Sequence, residues 1–166
     1  MNQQLFFEKQ RFTQWWLWLI LILLNILFGI ALYEQYTEHK IFGAKPMSDT
    51  GLFFAWAITI LITLLFIVMK LETQIKPEAV YVRFFPFHFS YKKFELSALS
   101  EVYVRKYAAI YEYGGWGIRL GWFGKGNAYT VSGENGIQLE FKNGKKLLVG
   151  TQKPEIVRHI LAKLVI

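Results

Sequence analysis

The sequence predicts a two-helix transmembrane hairpin followed by a mainly-β domain that a C-terminal helix closes. Three features of the 166 residues predict it. Two apolar runs, Phe12–Tyr33 and Gly51–Met69, contain no charged residue; the pattern then switches to period-two alternation after Leu71; and one amphipathic stretch ends the chain. A helix needs about 20 mostly apolar residues to cross the hydrocarbon core of a bilayer. Both runs reach that length, and charge stops each of them, Arg11 before the first and Lys70 after the second.

In chain order, residues 1–11 read as a cytoplasmic N-terminus, 12–33 as the first span and 34–50 as an extracytoplasmic connector. Residues 51–69 read as the second span and 70–166 as one small cytoplasmic domain. The first run exceeds the roughly 7–15 apolar residues of a signal peptide and no A-x-A site follows, so it reads as an uncleaved anchor. The connector, with Gly43 and Pro46, is too short for a domain, which makes the helices antiparallel neighbours. Trp15, Trp16, Trp18, Tyr33, Tyr36, Phe53, Phe54 and Trp56 fall near the span ends, where aromatic rings favour headgroup depth. Within the spans, Asn25 and Gly29 share one face, and Ala55, Thr59 and Thr63 recur at i, i+4, i+8. Small residues let backbones approach, and Asn or Thr bonds across the contact. These five residues are the expected helix–helix seam. No ionisable group lies inside either span, which disfavours a transport path.

Net charge is +7 and unevenly placed: from residue 70 onward fifteen Lys or Arg stand against eight Glu. Short flanks rich in Lys and Arg stay cytoplasmic. Lys9 and Arg11 flank one end of the hairpin, and Lys70 and Lys76 the matching end. Both termini are therefore expected inside and the connector outside. An anionic leaflet attracts such a basic domain by roughly 1 kcal/mol per well-placed Lys or Arg. The chain has no cysteine, which excludes disulfides, thiolate metal sites and a Cys nucleophile.

In the soluble half, the turn Lys76-Pro77-Glu78 enters a strand over Ala79–Phe84, and Phe87–Phe94 reads as its hairpin partner across Pro86. Further strands are expected at Glu101–Tyr107, Gly117–Trp122, Ala128–Val131 and Gly136–Lys142. The last of these alternates Ile137, Leu139 and Phe141 inward with Gln138, Glu140 and Lys142 outward. Asn143-Gly144 is a two-residue hairpin turn, and Lys146–Gly150 returns as the final strand. Pro154 and Glu155 suit the first turn of a helix. Its apolar face would be Ile156, Val157, Ile160, Leu161 and Leu164. The total is about seven strands and one helix, the helix plugging the open corner of a bent sandwich.

The strings Tyr113–Arg119, Tyr129–Gly133, Gly136–Leu139 and Leu148–Glu155, in that element order, resemble bacterial pleckstrin-homology-like membrane proteins, which carry two spans before the domain. The resemblance covers residues 70–165, and the spans only by arrangement. It implies a seven-stranded sandwich or barrel capped by the C-terminal helix, with no catalytic residues and no cofactor. Soluble bacterial relatives of this fold form rings, so it also implies homo-oligomers as one partner class. Eukaryotic pleckstrin-homology domains hold anionic headgroups on basic residues around their first hairpin, which points here to Arg83, Lys92 and Lys93.

Those three, with Arg105, Lys106 and Arg119, are the candidate contacts for anionic lipid or a partner. Phe85, Phe87 and Phe89, around Pro86, form a candidate membrane-facing tip, since an exposed apolar patch usually meets something. The glycine-rich stretch Gly114–Gly126 has neither phosphate-loop spacing nor a following helix. It reads as a bend where backbones pass closely. Enzyme chemistry finds little support: His39, His88 and His159 lie far apart, Asp49 is the sole Asp, and the Glu residues are scattered. No His/Asp/Glu spacing suggests a metal, no small-molecule substrate is evident, and nucleic acid is disfavoured. The expected role is a membrane-anchored binding or scaffold module at the inner membrane face, contacting protein or anionic lipid. The alternative is an accessory subunit of a membrane enzyme or transporter, joined through the transmembrane hairpin.

Overall fold

A computed structural model describes residues 4–38, 48–121 and 124–164. They form two compact units, Thr13–Val68 and a β unit that combines Met1–Phe12 with Met69–Ile166.

The first unit is a pair of helices, α1 (Trp15–Glu38) and α2 (Asp49–Val68). Both are long and apolar enough to cross a membrane. Helix α1 runs five residues past the apolar run that ends at Tyr33, so part of the expected connector is helical. Residues 39–47, with Lys40, Gly43, Lys45 and Pro46, lie outside the described residues. The Ser48 hydroxyl accepts from the Gly51 amide at 3.1 Å and so caps the start of α2. Gln35 Nε2 donates to Asp49 Oδ1 at 2.6 Å and ties the two helices at that end. Leu19, Ile22, Ile26 and Ile30 on α1, and Phe54, Ile58, Leu61 and Leu64 on α2, stay exposed. Helices that are apolar all round need an apolar surrounding, and these outer faces stay uncovered among the described residues.

The second unit has nine described strands in two sheets. The first sheet is β1 (Phe6–Arg11), β2 (Lys70–Ile75), β3 (Ala79–Phe85) and β4 (Lys92–Glu95), antiparallel in that order. The second contains β5 (Leu99–Lys106), β6 (Gly117–Arg119), β7 (Asn127–Thr130), β8 (Asn135–Phe141) and β9 (Lys146–Gly150). Its order is β5-β8-β9-β7-β6, with β7 and β9 parallel. A short helix, α3 (Ala109–Tyr113), follows β5, and α4 (Pro154–Leu164) closes the chain.

Several expectations need correction. Phe6–Arg11 do not stand apart as an N-terminal segment: β1 pairs along its whole length with β2, from Phe6 opposite Ile75 to Arg11 opposite Lys70. The two helices are therefore an insertion into the first hairpin of the β domain and do not precede it. Strand β1 escaped notice because its inward positions are Phe6, Glu8 and Gln10, two of them polar, so no apolar alternation shows. The expected strand Phe87–Phe94 shrinks to Lys92–Glu95, with the residues after Pro86 forming a turn. The expected strand to Trp122 ends at Arg119, and Trp122 lies outside the described residues. Ile156 is exposed, because α4 buries Val157 and Leu161. Gln138, expected outward, is buried.

Leu71, Ile75, Val80, Val82 and Phe84 from the first sheet are fully buried, as are Ile137, Leu139 and Val149 from the second. On the second sheet's other face a smaller core gathers Tyr107, Ala109, Tyr113, Ala128 and Leu148, with Trp116 packed against it. This core is why Gln138, opposite Leu148, is covered on what period two makes an outer face.

The polar residues of β1 tie it to the far end of the domain. Glu8, 4% exposed, accepts from the Thr151 hydroxyl at 2.7 Å and from the Gln152 amide at 2.8 Å. Gln10 Nε2 donates to the Gly150 carbonyl at 2.7 Å. Hydrogen bonds to a charged acceptor contribute about 1.5–3 kcal/mol, and truncating the acceptor strands buried donors. Glu8→Ala should therefore cost roughly 2–3 kcal/mol. Lys9→Ala, at an exposed neighbour, should stay within about 0.5 kcal/mol. Denaturant unfolding of the detergent-solubilised chain measures both; equal losses would remove β1 from the stable sheet.

Candidate functional site

Strand register sorts the candidate residues by face. In the first sheet, Val80, Val82 and Phe84 point to the buried side, while Tyr81, Arg83 and Phe85 point to the other. Opposite them, Lys93 pairs with Tyr81 and Lys92 with Val82. Successive residues on a strand face opposite ways, so Lys92 and Lys93 do not share a surface. Lys92 reaches inward, its Nζ 3.3 Å from the Tyr129 hydroxyl and 5.6 Å from that ring's centroid. Lys93 pairs with Glu95 at 2.8 Å on the outside.

Arg83 is committed to an ion cluster. Its guanidinium bonds the Glu72 carboxylate and lies over the Tyr91 ring at 4.6 Å. Glu72 also accepts from the Tyr91 hydroxyl at 2.7 Å and pairs with Lys70 at 3.0 Å. Burial alone would raise the Glu72 pKa. The bonds from Tyr91, Arg83 and Lys70 outweigh it and hold the value at about 2, against an ordinary 4.5.

Arg105 is equally occupied. It donates to Gln138 Oε1, Glu112 Oε2 and the Tyr113 hydroxyl, each at 2.9 Å, and to the Lys106 carbonyl at 3.1 Å. Glu112 turns its other oxygen to the Ala108 amide at 2.8 Å. Arg105 thus clamps α3 over the second sheet. Beneath it, burial pushes the Tyr107 phenol up to about 12, so that ring stays neutral. Lys106 is exposed, and Arg119 spends only Nε, on the Trp116 carbonyl at 3.1 Å. Neither has a carboxylate partner among the described residues. Of the six basic candidates, Arg83 and Arg105 are structural, Lys92 and Lys93 are paired locally, and Lys106 and Arg119 remain available.

What the sequence reading missed is the surface that Lys106 and Arg119 flank. Helix α3 presents Tyr111, 92% exposed, together with exposed Ile110 and, from the chain after β6, Leu120. A groove of about 500 Å³ lies on the side of α3 that bears Lys106 and Trp116. Another of about 560 Å³ lies on the side that bears Arg119 and Leu120. Gly114, in the left-handed conformation at φ 70°, ends α3 by donating to the Ile110 carbonyl at 2.9 Å. The only sequence signal for this ridge was the pair Ile110-Tyr111, off-pattern after a strand.

The aromatic tip divides. Phe85 is half-buried, with Lys70 Nζ 5.3 Å over its ring. Phe87 and Phe89 are 56% and 81% exposed. His88 braces the turn: its amide donates to the Phe84 carbonyl at 2.8 Å, and its Nδ1 accepts from the Phe84 amide at 3.3 Å. Burial first, and Lys92 second, lower the His88 pKa, which suits an imidazole nitrogen that accepts.

In the helical unit, Asn25 Nδ2 donates to Thr63 Oγ1 at 2.9 Å, and the Thr59 hydroxyl donates to Asn25 Oδ1 at 3.3 Å. Gly29 does not meet a small residue, as expected, but the Trp56 ring, 3.6 Å from where a Cβ would sit. Trp56 Nε1 donates to the Asn25 carbonyl at 3.1 Å. Trp56 therefore belongs to the seam, and Ala55 is half-buried beside it. The glycine-rich stretch is a close backbone approach: a Cβ on Gly121 would collide with the Gly126 carbonyl. Among the described residues, no group of three or more His, Asp or Glu is placed to hold a metal ion.

No protein-family model matches the chain, and neither a curated protein nor a solved structure matches it.

The Glu72 cluster sets a pH dependence. A carboxylate whose folded pKa lies below its unfolded value contributes stability that is present above the unfolded value and lost as pH falls through the folded one. Unfolding free energy should drop between pH 4.5 and about 2. Glu72→Gln should flatten that drop in denaturant titrations of the solubilised chain, and an unchanged slope would contradict the assignment.

Proposed function

We propose that this chain is a membrane-anchored binding module. In this reading α1 and α2 cross the membrane as an antiparallel hairpin, and the β unit is a pleckstrin-homology-like sandwich held at the inner membrane face, where it binds rather than catalyses. One observation carries the reading: Arg11 and Lys70 are register partners at one end of the β1/β2 ladder. Three residues lead from Arg11 into α1, and Met69 alone links α2 to Lys70. Two helices that leave and return at one ladder end must begin and finish on the same side of any membrane they cross. Lys9, Arg11 and Lys70 lie at or near that end, and such clusters stay cytoplasmic. The two sheets with a closing helix support the pleckstrin-homology-like assignment.

The surface we assign to a protein partner is the α3 ridge, with Tyr111 and Ile110 exposed between Lys106 and Arg119. Aromatic anchors backed by a rigid support, with cations at the rim, suit an interface, and Arg105 supplies that support. The accessory-subunit reading rests on a different observation. An apolar groove of about 640 Å³ runs along the helical pair past Gly29, Leu32, Tyr33, Phe53 and Trp56. Asn25, Thr59 and Thr63 already satisfy one another, so a partner helix there would rely on shape alone.

With no native cysteine, single thiols report sidedness. Phe7→Cys and Lys142→Cys should react with a membrane-impermeant maleimide only after the cytoplasmic face is opened, and Thr37→Cys should react in intact cells. Reaction of Phe7→Cys and Lys142→Cys from opposite faces would overturn the same-side topology. Reaction of both in intact cells would place the domain outside.

A further inference from the structure

We infer that the aromatic tip between β3 and β4 enters the lipid leaflet, with Phe87 and Phe89 among the acyl chains and Arg11 at anionic headgroups. This rests on the reading that α1 and α2 span the membrane. Phe85 pairs with Lys70, and Lys70 with Arg11, so these three form the last row of the first sheet. Strand β1 runs out past that row towards α1, and β2 begins at it on returning from α2. Strand β3 is antiparallel to β2, so Pro86–Phe89 extend beyond the row at the same ladder end. The tip therefore belongs to the ladder end from which the chain leaves for α1 and to which it returns from α2.

The chemistry of the tip fits that surface. Phe87 and Phe89 stand 56% and 81% exposed although the turn beneath them is fixed. Phe87 leans on buried Phe84 at 6.1 Å between centroids, Phe89 meets Phe85 edge-on at 6.2 Å, and His88 bonds Phe84. The rings have partners below and nothing above among the described residues. Beside them, Arg11 is exposed directly across the ladder from Lys70. Glu72 already pairs with Lys70 at 3.0 Å, so Arg11 is the cation of this row left for an anionic headgroup. Apolar rings flanked by cations are the composition of segments that lie at the headgroup–acyl boundary.

The test uses the full chain reconstituted in phosphatidylcholine vesicles containing phosphatidylglycerol. An environment-sensitive fluorophore is attached at Phe89→Cys, at Phe87→Cys, at Ile22→Cys on the exposed face of α1, or at Lys142→Cys in a distant turn. Lipids carrying a nitroxide high on the acyl chain should quench Phe89→Cys and Phe87→Cys, with blue-shifted emission and protection from aqueous iodide. Lys142→Cys should show iodide quenching only. Quenching of Ile22→Cys by lipid, with Phe87→Cys and Phe89→Cys open to iodide, would overturn the inference and leave the spans intact. A tip protected from both quenchers would mean that protein covers it, which also overturns the inference. Loss of lipid quenching at Ile22→Cys would remove the membrane reading itself. Two tip positions guard against one substitution disturbing the turn.

Discussion

Arg11 and Lys70 face each other across one antiparallel ladder although the whole of α1 and α2 separates them in sequence. That pairing decides the architecture. It makes the β domain discontinuous, gives the helical pair two attachment points, and places both attachments on one edge row. The ladder is held from the other side by Glu8 and Gln10, which bind the backbone and hydroxyl groups where β9 hands over to α4. Buried polar groups are costly unless bonded. Here the bonds join the first strand to the last turn before the closing helix, so the two ends of the domain lock each other.

The distribution of charge looks different once side chains have partners. A chain with net charge +7 invites a reading in which every Lys and Arg contributes to one basic face. Arg83 and Arg105 instead use their planar donor sets to organise carboxylates and phenols, the work for which guanidinium geometry suits. Arg83 neutralises a carboxylate that β2 has nearly buried, and Arg105 fastens α3. Of the six basic candidates, only Lys106 and Arg119, on the flanks of the α3 ridge, are left for an external anion among the described residues.

How much of this was legible in the sequence depended on whether burial and apolarity coincide. The two helices could be read from uninterrupted apolar length, and β3, β5, β8, β9 and α4 because their buried faces are apolar at regular spacing. Strand β1 could not, since Glu8 and Gln10 occupy inward positions and their partners Gly150, Thr151 and Gln152 lie at the other end of the chain. The seam was half legible: Asn25, Thr59 and Thr63 pair as polar spacing suggests, but Trp56 filling the space at Gly29 reverses the small-against-small expectation. Lys92 and Lys93 looked like one basic patch because adjacency in sequence hides the alternation of a strand. Helix α3 was invisible, being too short for a periodic signal.

The interrupted first hairpin also bears on how the protein is made. Translation proceeds from β1 through both helices to β2, so β1 must wait for its partner until α1 and α2 have been made. Until then Phe6, Glu8 and Gln10 have no sheet to join. If the helices cross a membrane as proposed, entry of only one would strand β1 and β2 on opposite sides, and the ladder could never zip. In that reading closure of the β domain doubles as a proofreading step: a finished sheet certifies that the hairpin went in and came back out.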